Sequence, residues 1–157
     1  VAVTRSSDIE ELQRLSELPG LKALQLHTPF QGSREAEREF LRQVRSVAGG
    51  LSVWRAVDML NPDFAPLATD LAPEVEALVL DSGSGGSGST FEWDTIPPEV
   101  KDKSFLAGGL RLDNLEEELS TGTMGLDLNS GLEYAPGRKD SSLVSQAFNI
   151  IRRYTHP

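Results

Sequence analysis

Asp81 closes the apolar run Ala77-Leu78-Val79-Leu80 and is followed by Ser82 and a glycine-serine stretch reaching Ser89. A carboxyl group in that setting can give or take a proton. Glycines beside it, Gly85, Gly86 and Gly88 among them, let backbone amides approach a ligand or let the loop close as a lid. Two more glycine turns follow later apolar runs, Gly108-Gly109 and, just past Asp127, Asn129-Ser130-Gly131. A strand-to-helix turn with unpaired N–H groups is a ready anion site, so the pair points to a phosphate-bearing ligand. The plain alternative is two tight turns and no ligand. His27 and Asp58 end two earlier apolar runs. For Asp58, Asp81 and Asp127 alike, the alternative to chemistry is a cap on the following turn.

The elements that would position these groups alternate along the chain. Val1-Ala2-Val3 reads as a strand, and Ser7-Asp8-Ile9-Glu10 reads as a capping box opening a helix that Pro19-Gly20 stops. Ala23 to Leu26 is a second strand. Ser33 caps a helix through Val47, with Phe40, Leu41, Val44 and Val47 on one side and Gly49-Gly50 at its end. Leu51 to Val57 is a third strand. Pro62, Pro66 and Pro73 keep any helix after it short or broken. Ala77 to Leu80 is a fourth strand, and Phe91 to Ile96 spans one helical turn before Pro97-Pro98. Ser104 to Ala107 is a fifth strand. Asp113-Asn114-Leu115-Glu116 caps a helix ending at Gly122, Met124 to Leu128 is a sixth strand, and a polar loop follows. Asp140 caps the last helix, where Val144, Ala147, Phe148 and Ile151 recur on one face.

That is six β-then-α units of roughly 26 residues each, with short, continuously apolar strands of the kind found in helix-covered parallel sheets. An α/β fold follows. Two architectures fit the count, an open doubly wound sheet or a (β/α) barrel lacking two of its eight units.

Composition narrows the function. The 157 residues carry a net charge of −9, which disfavours a phosphate backbone as partner, so no nucleic acid is expected. Cysteine is absent and only two histidines occur, which leaves no thiolate metal site and argues against a transition-metal centre. No apolar run approaches the roughly 18 residues of a membrane span, and without a signal peptide a cytoplasmic location is the expectation. Arg34, Arg38, Arg42 and Arg45 share a helix face with Glu35 and Glu39 beside them, which reads as a solvated, ion-paired surface. Trp54 and Trp93 read as core aromatics, and His156 as part of a tail.

Taken in order, Ala77-Leu78-Val79-Leu80-Asp81-Ser82, Gly85-Gly86-Ser87-Gly88 and Phe91-Glu92-Trp93 resemble the phosphoribosylanthranilate isomerases, (β/α)₈ barrels of tryptophan biosynthesis. Leu106-Ala107-Gly108-Gly109-Leu110 with Asn114 resembles the seventh unit. Gly125-Leu126-Asp127-Leu128-Asn129-Ser130-Gly131-Leu132-Glu133 with Pro136-Gly137-Arg138-Lys139-Asp140 resembles the eighth. Upstream, Gln25-Leu26-His27 is similar to the fourth strand and Val1-Ala2-Val3 to the third. The resemblance implies an Amadori rearrangement of an aminoaldose to an aminoketose, without cofactor, on a sugar-phosphate substrate. It implies Asp81 as the general acid, with a raised pKa, and Asp127 and His27 as substrate-binding groups. Gly108, Gly109, Ser130 and Gly131 would hold the phosphate.

The chain departs from the family pattern at several places. It has no counterpart of the cysteine base at the end of the first strand, nor of the second-unit arginine that meets the anthranilate carboxylate. Thr28-Pro29 follows His27 where glycine is usual, and Glu92 replaces an aspartate. The expectation is therefore one domain over residues 1–157, a truncated barrel of units three to eight, with roughly 50 residues preceding it in a full barrel. Weak or absent turnover is expected of it, and homo-oligomers formed through its open sheet edges. The alternatives are a non-catalytic sugar-phosphate binder and a protein built to self-assemble.

Overall fold

The computed structural model describes residues 1–61, 63–82 and 91–155; Pro62, His156 and the loop glycines Gly85, Gly86 and Gly88 lie outside the described residues. The chain runs β1 (Ala2–Thr4), α1 (Ile9–Ser16), β2 (Ala23–Leu26), α2 (Arg34–Val47), β3 (Ser52–Asp58), α3 (Phe64–Leu71), β4 (Ala77–Asp81), β5 (Ser104–Leu106), α4 (Leu115–Ser120) and β6 (Gly125–Leu126). A hairpin of β7 (Glu133–Ala135) and β8 (Arg138–Lys139) and the helix α5 (Ser141–Thr155) complete it. Single turns of 3₁₀ helix include Trp93–Thr95 and Ser130–Leu132.

The first six strands form one sheet in the order β1-β2-β3-β4-β5-β6, every adjacent pair parallel. That order separates the two candidate architectures. A doubly wound sheet reverses direction at a switch point. Here each crossover steps the same way, and right-handed crossovers taken in one direction bring all their helices to one face. The sheet is an arc of a (β/α) barrel. It is not closed, and β1 and β6 are its edges.

The helix-covered face holds the main core. Leu24, Leu26, Val53, Val57, Leu78, Leu80 and Leu106 from the strands cluster with Leu12, Phe40, Leu41, Val44, Leu67 and Leu71 from the helices. The opposite face is the barrel interior, where Trp54 and Phe105 stack at 4.8 Å between ring centroids. Exposure in β3 alternates residue by residue, with Trp54, Ala56 and Asp58 half-exposed on the interior side. The expected continuous burial holds in β2 but not in β3, because an open arc leaves part of the interior uncovered.

Several local expectations shift. The first helix is capped by Asp8, not Ser7: its carboxylate accepts from the Glu11 amide at 3.0 Å, and Glu11 in turn accepts from the Ser6 hydroxyl at 2.6 Å. The capping pattern is one residue further on than expected. Ser33 and Asp140 cap as anticipated, accepting from Ala36 N and from Ser142 N respectively. Pro66 stands in the first turn of α3, where its missing N–H removes no helical bond. The stretch after β6 is not merely a loop, since it contains the β7–β8 hairpin. On α5, Ala147 is buried whereas Phe148 remains 55% exposed. Among the described residues no helix is long and apolar enough to cross a membrane.

The basic face of α2 is ion-paired, though mostly with other partners than those expected. Arg34 and Arg38 meet Asp70 of α3, Arg38 also meets Glu74, and Arg45 meets Glu76 at 2.9 Å; Arg42 pairs with Glu39 within the helix. These contacts tie α2 to the next unit.

Beneath that face lies an interaction no local pattern announced. Arg55, buried on the helix side of β3, donates from Nε to Glu37 Oε1 at 2.7 Å and from Nη1 to the carbonyls of Leu26 (3.1 Å) and Thr28 (3.0 Å). Glu37 has no exposed surface, and its other oxygen accepts from the Gln31 amide at 3.0 Å. Removing one member of such a pair strands a buried charge. Glu37→Gln is expected to lower unfolding free energy by about 3–5 kcal/mol, measured by urea denaturation. A loss of under about 1 kcal/mol, the scale of a surface pair, would show that the contact is incidental.

Candidate active site

Asp81 is the last residue of β4, and two backbone bonds hold its surroundings: Met59 N donates to Asp81 O and Ala107 N to Leu80 O, both at 2.8 Å. The turn leaving β5 passes directly against it. Gly108 has φ +81°, and a Cβ built there would stand 2.5 Å from Asp81 Oδ1 and 2.6 Å from Ser82 N. Only glycine lets this backbone lie on the carboxyl. The next loop closes in similarly, because a Cβ on Gly131 would overlap the Leu110 carbonyl and lie 2.9 Å from Arg111 Cγ. The two glycine turns therefore pack on each other.

Neither turn runs straight into a helix, which corrects the expectation. Gly108-Gly109 is separated from α4 by the segment holding Asn114, whose amide donates to Gly109 O (3.1 Å) and whose Oδ1 accepts from Arg111 N (2.7 Å). Asn114 braces this turn and does not cap the helix with its side chain. Ser130–Leu132 is a 3₁₀ turn that leads into the hairpin. Even so, the amides of Gly109, Ser130 and Gly131 have no hydrogen-bond acceptor among the described residues. Their donors are available, though not as helix N-termini.

Asp81, His27, Gly108, Gly109, Asp127 and Ser130 line one cavity of about 440 Å³ at the carboxyl ends of the strands. Gly131 supports its wall from behind without lining it. Arg5, Gln25 and Asn129 also line it, of which only Asn129, in its glycine turn, was expected near the site from the sequence. Gln25 was detectable: a polar residue between Leu24 and Leu26 on a strand must face away from their core. Its amide nitrogen lies 2.9 Å from His27 Nε2. A second cavity of about 520 Å³ shares Arg5, His27 and Asp81 and is walled by Phe30, Val57, Leu67 and Leu71. Asp58 takes the plainer part, accepting from Leu60 N at 3.0 Å as a turn cap.

This arrangement brings a carboxyl group and an imidazole together beside two turns whose amides at Gly109, Ser130 and Gly131 have no acceptor among the described residues. The profile of the N-(5'phosphoribosyl)anthranilate (PRA) isomerase family matches residues 1–150. The chain belongs to that family. A relative named Tryptophan biosynthesis protein TrpCF, from Corynebacterium glutamicum, is 45% identical over 142 residues, covering 86% of this chain and 30% of its own length. The chain thus spans about 30% of that curated relative. Among solved structures, phosphoribosyl anthranilate isomerase from Thermus thermophilus aligns with a TM-score of 0.77 at 29% identity, over 96% of this chain and 70% of its own. TrpF from Jonesia denitrificans aligns with a TM-score of 0.67 at 28% identity, over 99% and 71%.

Burial pushes the His27 pKa below its ordinary 6.5; Arg55 and Arg5 push the same way, against the opposing pull of Asp81 and Asp127. The ring is therefore neutral near pH 7. A depressed pKa means that the unfolded chain binds the proton more readily, so stability from this site is present above pH 6.5 and declines as pH falls toward the folded value. The His27 imidazole is expected to titrate with a midpoint below 6.5, as followed by NMR of the ring protons. A midpoint above 6.5 would mean that the two aspartates outweigh burial.

Proposed function

We propose that this chain carries the phosphate-binding turns and the general acid of an isomerase that converts N-(5-phosphoribosyl)anthranilate to the corresponding aminoketose. The observation that carries the proposal is Asp81 lining one cavity with Gly108, Gly109 and Ser130, so that a carboxyl group and the two glycine turns border a common space. A phosphate at the amides would leave the ribose within reach of Asp81. In the reaction, Asp81 protonates the furanose oxygen, the ring C–O bond breaks and C1 becomes an iminium. The C2 proton then passes to solvent water, since these residues hold no cysteine to take it, and the resulting enolamine takes a proton back at C1 as it tautomerises to the ketone at C2. The sequence of steps is redox-neutral overall and draws on no cofactor. Asp127 and the neutral His27 serve the ribose hydroxyls as hydrogen-bond partners.

The family's base is a cysteine, and these residues contain none. That favours a second reading, a sugar-phosphate binder without turnover. The two readings separate on assay. If the first is right, the chain isomerises phosphoribosylanthranilate only weakly, and Asp81→Asn lowers that residual rate by about 10²–10⁴-fold, the usual worth of a positioned acid. A variant as fast as its parent would remove Asp81 from the mechanism. Binding of ribose 5-phosphate without any turnover would establish the second reading.

We also infer that the chain self-associates through its sheet edges. Among the described residues, backbone groups on β1 and β6 have no strand partner on their outer sides. Val3, at 63% exposed, and Met124, at 49%, lie at these edges. Sedimentation at micromolar concentration is expected to give a dimer or other small closed assembly, and a compact monomer would refute this.

A further inference from the structure

The hairpin between the Ser130–Leu132 turn and α5 has no role in the site as described, yet it is tied to it. Lys139 on β8 sits opposite Glu133 on β7. Its ammonium donates to the Asn129 carbonyl at 2.7 Å, to Asn129 Oδ1, and to Glu133 Oε1 at 2.8 Å. An ammonium has three protons, and all three are engaged. The second oxygen of Glu133 accepts from Gly137 N at 3.0 Å, at the tip of the hairpin. On the far side, Asp140 N donates to Leu132 O at 2.8 Å. The hairpin is thus a bracket that grips the turn at both ends.

The geometry also shows where the ammonium is not. Asn129 and Ser130 line the cavity that holds Asp81, whereas Lys139 does not line it and borders the adjoining apolar groove along β6 and α5, which meets that cavity at Asp127. With its donors used and its position behind the loop, Lys139 has nothing left to offer a ligand directly. We propose that Lys139 is a positioning residue, which sets Asn129 and the following amides in the arrangement that receives a phosphate. This rests on the phosphate site proposed above, and it concerns how that site is held, whatever reaction follows. The lowered pKa of Glu133, caused first by its hydrogen bond from Lys139 and next by the Gly137 amide, fits a carboxylate that stays charged to hold the bracket.

The experiment uses the full chain with ribose 5-phosphate as probe, following the amide resonances of Gly109, Ser130 and Gly131. Parent, Lys139→Met, Lys139→Arg and Glu133→Gln are compared. Lys139→Met is expected to raise Kd by about tenfold or more and to move the unliganded Ser130 and Gly131 resonances, leaving Gly109 in place. Lys139→Arg keeps charge and donors and is expected to bind within about threefold of the parent. The loss in Lys139→Met persists in about 0.5 M NaCl, where a through-space attraction would be screened. An unchanged Kd in Lys139→Met overturns the proposal, as does a loss that disappears in salt. Should Lys139→Met fail to fold by circular dichroism, Glu133→Gln decides: it leaves the ammonium charged but loosens the bracket, and it must weaken binding and shift Ser130. A parent chain that does not bind ribose 5-phosphate overturns the phosphate site itself, an outcome distinct from failure of the bracket.

Discussion

A guanidinium buried between a sheet and its helices must be neutralised where it lies, and in this protein that requirement organises the ends of two strands. Arg55 spends its Nε on Glu37 of α2 and its Nη1 on the last carbonyls around β2, while Glu37 reaches the backbone at Gln31. The segment from Leu26 to Gln31 is therefore held from both ends by one ion pair. His27 sits inside that segment, its own amide donating to the Thr4 carbonyl at 2.8 Å. Apolar packing of β2 and β3 aligns the strands. It does not fix the exit path of the chain, because apolar contact is non-directional, whereas three hydrogen bonds to one planar group are directional.

A different device governs the other half of the site. Around Asp81 and the two turns, the controlling feature is the absence of side chains. Gly108 lets backbone pass against a carboxyl, and Gly131 lets one loop lie on the carbonyl of another. Close approach brings amides from two successive units to one cavity without any long side chain reaching across. One wall of the site is thus set by a charged pair and the opposite wall by missing methylenes. The two meet at Asp81, His27 and Arg5, which border both cavities.

The surface of α2 shows how context redirects an evident local pattern. Its arginines stand beside glutamates at helical spacing, yet most of them pair across the seam to Asp70, Glu74 and Glu76. Exposed pairs of this kind are individually worth little. Their common direction keeps consecutive units in register and adds to the burial of Leu41 and Val44 below them. Phe148 and Met124, by contrast, remain exposed beside β6, which has no strand on its outer side among the described residues.

Much of this protein was legible in its sequence where neighbours along the chain decide the outcome. The alternation of short apolar runs with capped amphipathic segments determined six parallel strands, the span of α2 from its Ser33 cap, and the placing of His27, Asp81 and Asp127 at strand ends. Where two local options compete, the reading slipped by a residue, as when Asp8 displaced Ser7 as the cap of α1. The β7–β8 hairpin was missed because its strands are too short to alternate. Only the tertiary structure decided that the strands run in one unbroken order rather than reversing, that Arg55 finds Glu37, that Gly131 lies against Leu110, and that Lys139 grips Asn129. Each of these joins residues from different elements, and such contacts depend on the path of the whole chain, which no local period encodes.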